Sequence, residues 1–378
     1  MTVNGAPAAI FVDPLHSLPK QQRAVVAQGA GQLGVVQDAP IPTLQPDMIL
    51  VKVAAICLNP VDIKALDYSH ASGAIMGYDF AGTIVALGSD EEDSGYFAVG
   101  DRVAGVVQGM SKDQPDVGAF AEYVGALADL VLKLPDSISF EDAAPLGLAT
   151  ATATYGLFKE LGLSKTLYEL ENGNRSDELG DFVLVAGGST ATGTRAIQLL
   201  KTAGFRPIAT CSPCNADLVQ RFGAEKTFDY HSATCGADIR AYTRNQLSYA
   251  FDCVAEAETT QLCYAAIGRA GGRYVAVEPF RKTIAESRAE TVEASWFNVM
   301  TIWGRKVELG GDYFRDASPE DRAFGTRSFA AVQTLLDRGE ISTHPIRVMP
   351  GGLDGVTYGL AMIRSKPPSG YKLVYKIP

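Results

Sequence analysis

Read for polarity alone, the chain changes rhythm twice. From about residue 47 to 135 the apolar positions come in short runs, MILVKVAAI, FAGTIVALG, VGDRVAGVV and GAFAEYV, punctuated by Gly, Asp and Pro. That pattern predicts short strands in a small, irregular barrel or sheet. FEDAAPLGLATATATYGLFKEL (140–161) is richer in Ala and Leu and predicts one or two helices, and the polar YELENGNRSDELGD (168–181) predicts a loop. The second change follows at once. FVLVAGG and PIATCS are apolar runs, and TRAIQLLKTAG between them has apolar residues at helical spacing, with Gly204 placed to end the helix. ADLVQRFGA (helix), KTFDY (strand), DIRAYTRNQ (helix), YAFDCV (strand), TTQLCYAAIGRAGG (helix and turn) and RYVAV (strand) continue the alternation. Such alternation predicts a parallel sheet covered by helices on both faces. The tail from about 300 returns to mixed character and ends in the strand-like KLVYKI. A β-rich start, a doubly wound middle and a mixed end imply a nucleotide domain inserted between two parts of another domain.

Composition narrows the class. With 378 residues, 47 % apolar, the chain has material for two packed domains. Its formal charge of −10 leaves no broad basic face to follow a phosphate backbone, so nucleic-acid binding is not expected. No apolar run is long enough to span a membrane, and MTVNGAPAAIFVDPLHSLPK lacks a basic stretch followed by an apolar core; a cytoplasmic location is expected. The six cysteines read as reduced thiols. Cys211 and Cys214 form a C-x-x-C with no second pair at zinc spacing, which reads as a loop coincidence. His16, His70, His231 and His344 match no metal-binding pattern.

VLVAGGSTATG (183–193) poses the chemical question. Gly187 and Gly188 sit where a strand ends and a helix begins, where free N–H groups and the helix dipole favour a pyrophosphate. Ser189, Thr190 and Thr192 offer hydroxyl donors in place of further glycines, and Gly193 keeps a position open for close approach of the helix. The run departs from G-x-G-x-x-G, and a Ser/Thr-rich helix cap is the competing reading. No acidic residue falls between Asp181 and Asp217, so the carboxylate that would hold a ribose 2′-OH is missing and the second strand runs into TCSPCN. Ser212 and Asn215 would accept a 2′-phosphate that a carboxylate would repel, and Tyr230 is placed to add a hydroxyl. NADPH is therefore expected over NADH.

NPVDIK (59–64), GYDFAG (77–82), VGDRVAGV (99–106), GAFAEYV (118–124) and GGSTATG (187–193) together resemble the zinc-free, quinone-reductase-like side of the medium-chain dehydrogenase/reductase superfamily. GGSTAT, PIATCSPCN, FDY, FDCV, AAIGRAGGRYV and the polar insert at 168–181 more narrowly resemble the trans-acting enoyl reductases of fungal highly reducing polyketide synthases, the lovastatin-pathway type. The resemblance implies an α/β fold: a GroES-like β-rich catalytic domain (1–153 and 300–378) with an inserted doubly wound Rossmann domain (154–299). In zinc-dependent members a cysteine ligand falls where Asn59 stands and a G-H-E motif where Gly77, Tyr78 and Asp79 stand. Asn and Tyr are poor zinc ligands, so no metal is expected and conjugate reduction is favoured over alcohol oxidation.

In conjugate reduction of an α,β-unsaturated thioester, hydride reaches the β-carbon and negative charge builds on the thioester oxygen, which needs a donor. The resemblance places Val61, Asp62, Ile63 and Lys64 beside the nicotinamide, with Lys64 as oxyanion and proton donor and Asp62 as the residue that orients or tunes it. It gives Thr150 a positioning role toward nicotinamide and substrate. It also implies cofactor contacts from Ala191, Pro213, Cys214, Val277, Glu278, Ser369 and Gly370. An acyl channel would be lined by Ala151, Thr152, Ala153, Thr154, Tyr155, Gly156, Leu157 and Phe158, with a wall at Asn298, Val299, Met300, Thr301 and Ile302. A trans-acting enzyme of this kind implies an acyl-carrier-tethered polyketide intermediate and a partner synthase, with Arg305, Lys306, Arg347 and Lys366 as candidate docking cations. Two other readings share these motifs: a free-standing NADPH:quinone or enone reductase, and a non-catalytic nucleotide-binding relative. The oligomeric state is left open, a monomer being favoured.

Overall fold

The computed structural model describes residues 18–163 and 180–378; the loop expected at 168–181 and His16 lie wholly or almost wholly outside the described residues. Two sheets carry the architecture. β1 (Gln21–Gly29) and β2 (Gln32–Pro40) form an antiparallel hairpin, which the polarity pattern did not single out. β3 (Met48–Cys57), β4 (Asp79–Leu87), β5 (Arg102–Val106), β6 (Tyr123–Leu127) and β7 (Val131–Lys133) are the short strands expected between 47 and 135. β3 pairs with β4 and β6, β4 with β5, and β5 with β7, all antiparallel. A helix Pro60–Tyr68 leaves β3 directly, because Pro60 at its first turn needs no N–H partner there.

β8 (Phe182–Ala186), β9 (Arg206–Cys211), β10 (Lys226–Asp229), β11 (Tyr249–Asp252), β12 (Gly272–Ala276) and β13 (Val292–Trp296) form a second, wholly parallel sheet in the order 10-9-8-11-12-13. This is the doubly wound order, with its switch point between β8 and β11. β8 is buried along its whole length, as a central strand covered on both faces should be. The helices Ala191–Thr202, Ala216–Arg221, Cys235–Tyr242 and Ala257–Ala266 connect the first five strands.

The chain then returns. β14 (Ile346–Met349) pairs in parallel with β15 (Lys372–Lys376), and β15 pairs with β3, so the last strands complete the first sheet as seven strands. The mixed tail also contains two long helices, Pro319–Asp337 and Gly352–Ser365. The helix Leu146–Thr154 runs without interruption into a wider π-helical turn, Tyr155–Glu160, so the expected boundary at 153/154 falls inside a continuous helical segment. That helix packs against Ala191–Thr202 and against Pro319–Asp337, joining the two sheets through one apolar core that includes Ala151, Ala153, Leu157, Ala196, Leu199 and Leu335. Among the described residues no helix is long and apolar enough to cross a membrane.

Candidate functional site

The turn after β8 is built from close approaches. Gly187 has φ of 79° and its N–H reaches Thr210 Oγ1 at 3.2 Å, while Gly188 N donates to Thr210 O at 2.8 Å, fastening the turn to β9. A Cβ on Gly193 would stand 2.3 Å from Gly187 O, and one on Gly188 would stand 2.7 Å from Ala209 Cβ. Only glycine lets helix 191–202 come this near the strand. Thr190 is the N-cap: its hydroxyl accepts from Gly193 N and donates to Gly187 O, both at 2.9 Å. The Thr190 hydroxyl is thus engaged inside the turn, where the sequence had offered it to a pyrophosphate; capping the helix satisfies an otherwise orphan donor. Ser189, Ala191 and Thr192 are half-buried around the same helix start. The residues fit a dinucleotide: a glycine cradle that a side chain would fill, under the positive end of a twelve-residue helix.

At the ends of β9 and β10 the hydroxyls of Ser212 and Tyr230 meet at 3.2 Å, with Tyr230 44 % exposed. Pro213, Cys214 and Asn215 form a single 3-10 turn beside them, and Cys214 is exposed while Cys211 is buried. Asn215, expected as a 2′-phosphate contact, also touches the end of the chain. It is 9 % exposed, its Nδ2 donates to Ser369 Oγ at 2.8 Å, and Gly370 (φ 77°) lies so near that a Cβ there would stand 2.6 Å from Asn215 Oδ1. One N–H of the amide therefore joins the nucleotide half to the segment entering β15.

Helix 60–68 presents two different faces. Asp62 is fully buried and turns back to accept from Asn59 N at 2.6 Å, whereas Lys64 lies on the open face. The Asp62 carboxylate does not orient Lys64, contrary to the expectation from the sequence. Residues two apart on a helix do not face each other. Burial pushes Asp62 up to about 8, offset in part by its bond from Asn59 and by Lys372. Lys64 Nζ instead meets Glu278 Oε1 at 2.7 Å, across from the loop that leaves β12. Glu278 Oε2 accepts from Tyr313 OH at 2.5 Å, and burial, followed by that bond, holds the phenol proton more tightly than usual. Tyr313 escaped the sequence reading, since nothing in GGDYF marks its partner 35 residues away. Ile63 is buried and Val61 partly so, and Val277 N is tied to Asp252 O at 3.1 Å. Asp252, also missed, gathers Val254 N, Ala255 N, Thr259 Oγ1 and Tyr274 OH at 2.9–3.0 Å and folds the loop beside Gly187.

Thr150 is 0 % exposed and its Oγ1 has no hydrogen-bond partner in the protein. A buried hydroxyl left open in this way is short of a ligand or water partner. The stretch that follows is different. Ala151, Ala153, Tyr155 and Leu157 are buried in the core, Thr154 Oγ1 donates to Thr150 O at 2.8 Å, and a Cβ on Gly156 would meet the Phe251 ring at 2.4 Å. Thr152 and Phe158 alone in this stretch are partly exposed, so 151–158 is mainly a packed helix, not the expected channel wall. Helical periodicity distributes neighbouring residues around the axis and cannot line one channel with eight in a row. Asn298 caps the turn Val299–Trp303 through Met300 N (3.1 Å) and donates to Tyr313 O (3.1 Å). Thr301 bonds toward Tyr155 OH at 3.5 Å, and Met300 and Ile302 are buried with it.

The positions at which zinc-dependent relatives carry ligands do not fit a metal. The Asn59 amide is engaged, with Nδ2 on Asp79 Oδ2 at 2.8 Å and Oδ1 accepting from Lys372 Nζ at 2.5 Å, and the Tyr78 phenol is held protonated by burial. An ammonium already stands where a cation would have to enter. Among the described residues no group of three or more His, Cys, Asp or Glu could hold a metal ion. Of the candidate docking cations, Lys306 pairs with Glu308 at 2.9 Å and Arg347 stacks over Tyr371 at 4.5 Å.

Comparison with known proteins agrees with this fold. Residues 45–136 match the alcohol dehydrogenase GroES-like domain and residues 191–320 the family described as zinc-binding dehydrogenase. The chain is 70 % identical over 363 residues to a trans-enoyl reductase of Trichoderma harzianum, covering 96 % of this chain and 98 % of the relative. It is 60 % identical to a trans-enoyl reductase of Aspergillus niger, covering 95 % and 98 %. In fold it is similar to the CurK enoyl reductase crystal structure, with a TM-score of 0.72 at 20 % identity, covering 95 % of this chain and all of that one. With a GroES-like sheet, an inserted dinucleotide sheet and full-length identity at this level, the chain belongs to the trans-enoyl reductase family.

Proposed function

We propose that the protein is an NADPH-dependent reductase of the carbon–carbon double bond in an α,β-unsaturated acyl thioester, acting in trans on an intermediate tethered to the carrier arm of a highly reducing polyketide synthase. The observation that carries the reading is Lys64: a half-exposed ammonium on the open face of helix 60–68, held at 2.7 Å by Glu278 from the nucleotide half. NADPH, when bound along the turn 187–193 with its 2′-phosphate toward Ser212 and Tyr230, supplies the hydride. The Lys64 ammonium donates to the thioester oxygen as charge builds there, and a cation does this more strongly than a neutral amide. Glu278 and Tyr313 hold that ammonium in place until substrate arrives. The unpartnered Thr150 hydroxyl orients the reacting groups from the other side. Division of the chain into 1–153 with 300–378 for chemistry and 154–299 for the cofactor follows from the same reading.

The test follows nicotinamide absorbance with NADPH and either an α,β-unsaturated acyl-pantetheine thioester or a simple quinone. Turnover of the thioester with NADPH, and much slower turnover with NADH, is expected. Turnover of the quinone alone would overturn the proposal in favour of a general quinone reductase.

A further inference from the structure

Four segments remote in sequence meet in one buried polar knot beside the site: the stretch from the end of β3 into helix 60–68, the start of β4, the first turn of helix 146–154 and the start of β15. Lys372 Nζ donates to Asn59 Oδ1 at 2.5 Å. The Asn59 amide is then fixed in orientation, and its nitrogen donates to Asp79 Oδ2 at 2.8 Å and to Cys57 O at 3.3 Å. The other oxygen of Asp79 accepts from Leu148 N at 2.6 Å, in the first turn of the helix that carries Thr150. Asn59 N is held by Asp62 at 2.6 Å, at the head of the helix that carries Lys64. Asn59, Asp62 and Asp79 are 6, 0 and 1 % exposed.

Two carboxylates in so dry a place require a cation or a proton. Burial raises Asp62 to about 8 and Asp79 to about 6, and the Lys372 charge acts against burial in both. Lys372 also follows, by three residues, Ser369, which bonds to Asn215 at the mouth of the nucleotide half. Through Asn59 and Asp79, one side chain is therefore tied to the supports of Lys64 and of Thr150.

We infer that Lys372 is a positioning residue of this reaction: its ammonium sets the Asn59 amide, and through Asn59 and Asp79 it fixes helices 60–68 and 146–154 so that Lys64 and Thr150 face one reacting centre. The inference rests on the roles proposed above for Lys64 and Thr150. A shift of about 1 Å in either helix suffices to lower turnover strongly while leaving the cofactor turn untouched.

Lys372→Ala, assayed at saturating NADPH and thioester, is expected to lose roughly tenfold or more in kcat, with NADPH Kd changed by less than about threefold. Added propylammonium, which replaces the deleted Cγ–Nζ fragment, should restore part of that kcat, whereas 1-propanol, equal in bulk and uncharged, should not. A kcat within about twofold of the parent, or equal rescue by the alcohol, overturns the inference. Should Lys372→Ala fail to fold, a second pair decides. Asp79→Asn turns the oxygen facing Asn59 into a donor and should depress kcat, while the double variant Asn59→Asp with Asp79→Asn reverses donor and acceptor and should recover it. No recovery in the double variant overturns the inference. Lys64→Ala run alongside separates the two readings: full turnover there sinks the role of Lys64, whereas full turnover in Lys372→Ala with Lys64→Ala inactive sinks only the knot.

Discussion

The two halves of the molecule build their candidate functional surfaces from different material. In the doubly wound half the site is backbone: a strand end, a glycine cradle and the first turn of a helix, all within residues 183–193. In the β-rich half it is side chains drawn from residues 59, 62, 64, 79, 313 and 372, joined by the Leu148 N–H and by Glu278 of the nucleotide half, which only the fold brings together. A backbone site is local and tolerates side-chain change except where a Cβ would collide. A side-chain site is distributed, and each member depends on supports far away in sequence.

Gly193→Val should mark the sharpest break. Its Cβ would stand 2.3 Å from a backbone oxygen, so the helix must leave the strand. Overpacking of this kind costs roughly 3 kcal/mol or more, and NADPH binding followed by fluorescence should vanish or Tm should fall steeply. Next comes Lys64→Ala, which should lower kcat by about a hundredfold while NADPH Kd moves little; unchanged turnover would transfer the oxyanion role elsewhere. Ser212→Asp should sharpen the contrast from the nucleotide side. A carboxylate beside the Tyr230 hydroxyl should weaken NADPH relative to NADH by about tenfold, close to 1.4 kcal/mol, measured by paired titrations. Equal weakening of both cofactors would move the 2′-phosphate contact away from Ser212.

The smallest effect lies at the seam between the halves. His344 Nδ1 meets Thr194 Oγ1 at 3.0 Å, and burial, with the charges of Lys372 and Arg195, lowers it from 6.5 to about 3. Below pH 6.5 the unfolded chain takes up a proton that the folded chain refuses, so this contribution to stability is full above 6.5 and lost as pH falls toward 3. The slope for one proton is at most about 1.4 kcal/mol per pH unit. His344→Gln should flatten Tm against pH in the window from about 4.5 to 6.5; an unchanged slope would assign the pH dependence to other groups.

The same contrast explains what could be read in advance. The alternation from FVLVAGG to RYVAV predicted a parallel sheet, and β8 to β12 form it, because buried strands and their covering helices each leave a periodic signature. Hairpin β1–β2 and the helix Pro319–Asp337 were not read: the helix mixes buried Asp321, Ser328 and Gln333 with apolar residues, which blurs the period. Lys64 was singled out through NPVDIK, but its pairing with Glu278 and Tyr313 carries no local signal. Asn215 was expected at the cofactor on residue type, and its contact with Ser369 and Gly370 carries no local signal either.

By itself the sequence determined the two-part α/β plan, the place of the glycine turn after β8 and the absence of zinc-type ligands at residues 59 and 78, since each is written in neighbouring positions along the chain. Only the tertiary structure decided that Asp62 faces inward while Lys64 faces Glu278, that Thr150 keeps an open hydroxyl, and that Lys372 closes a knot with Asn59 and Asp79. The physical reason is range: helix and strand periods and turn chemistry act over a few residues, whereas hydrogen bonds and ion pairs between distant segments exist only once packing has fixed both ends.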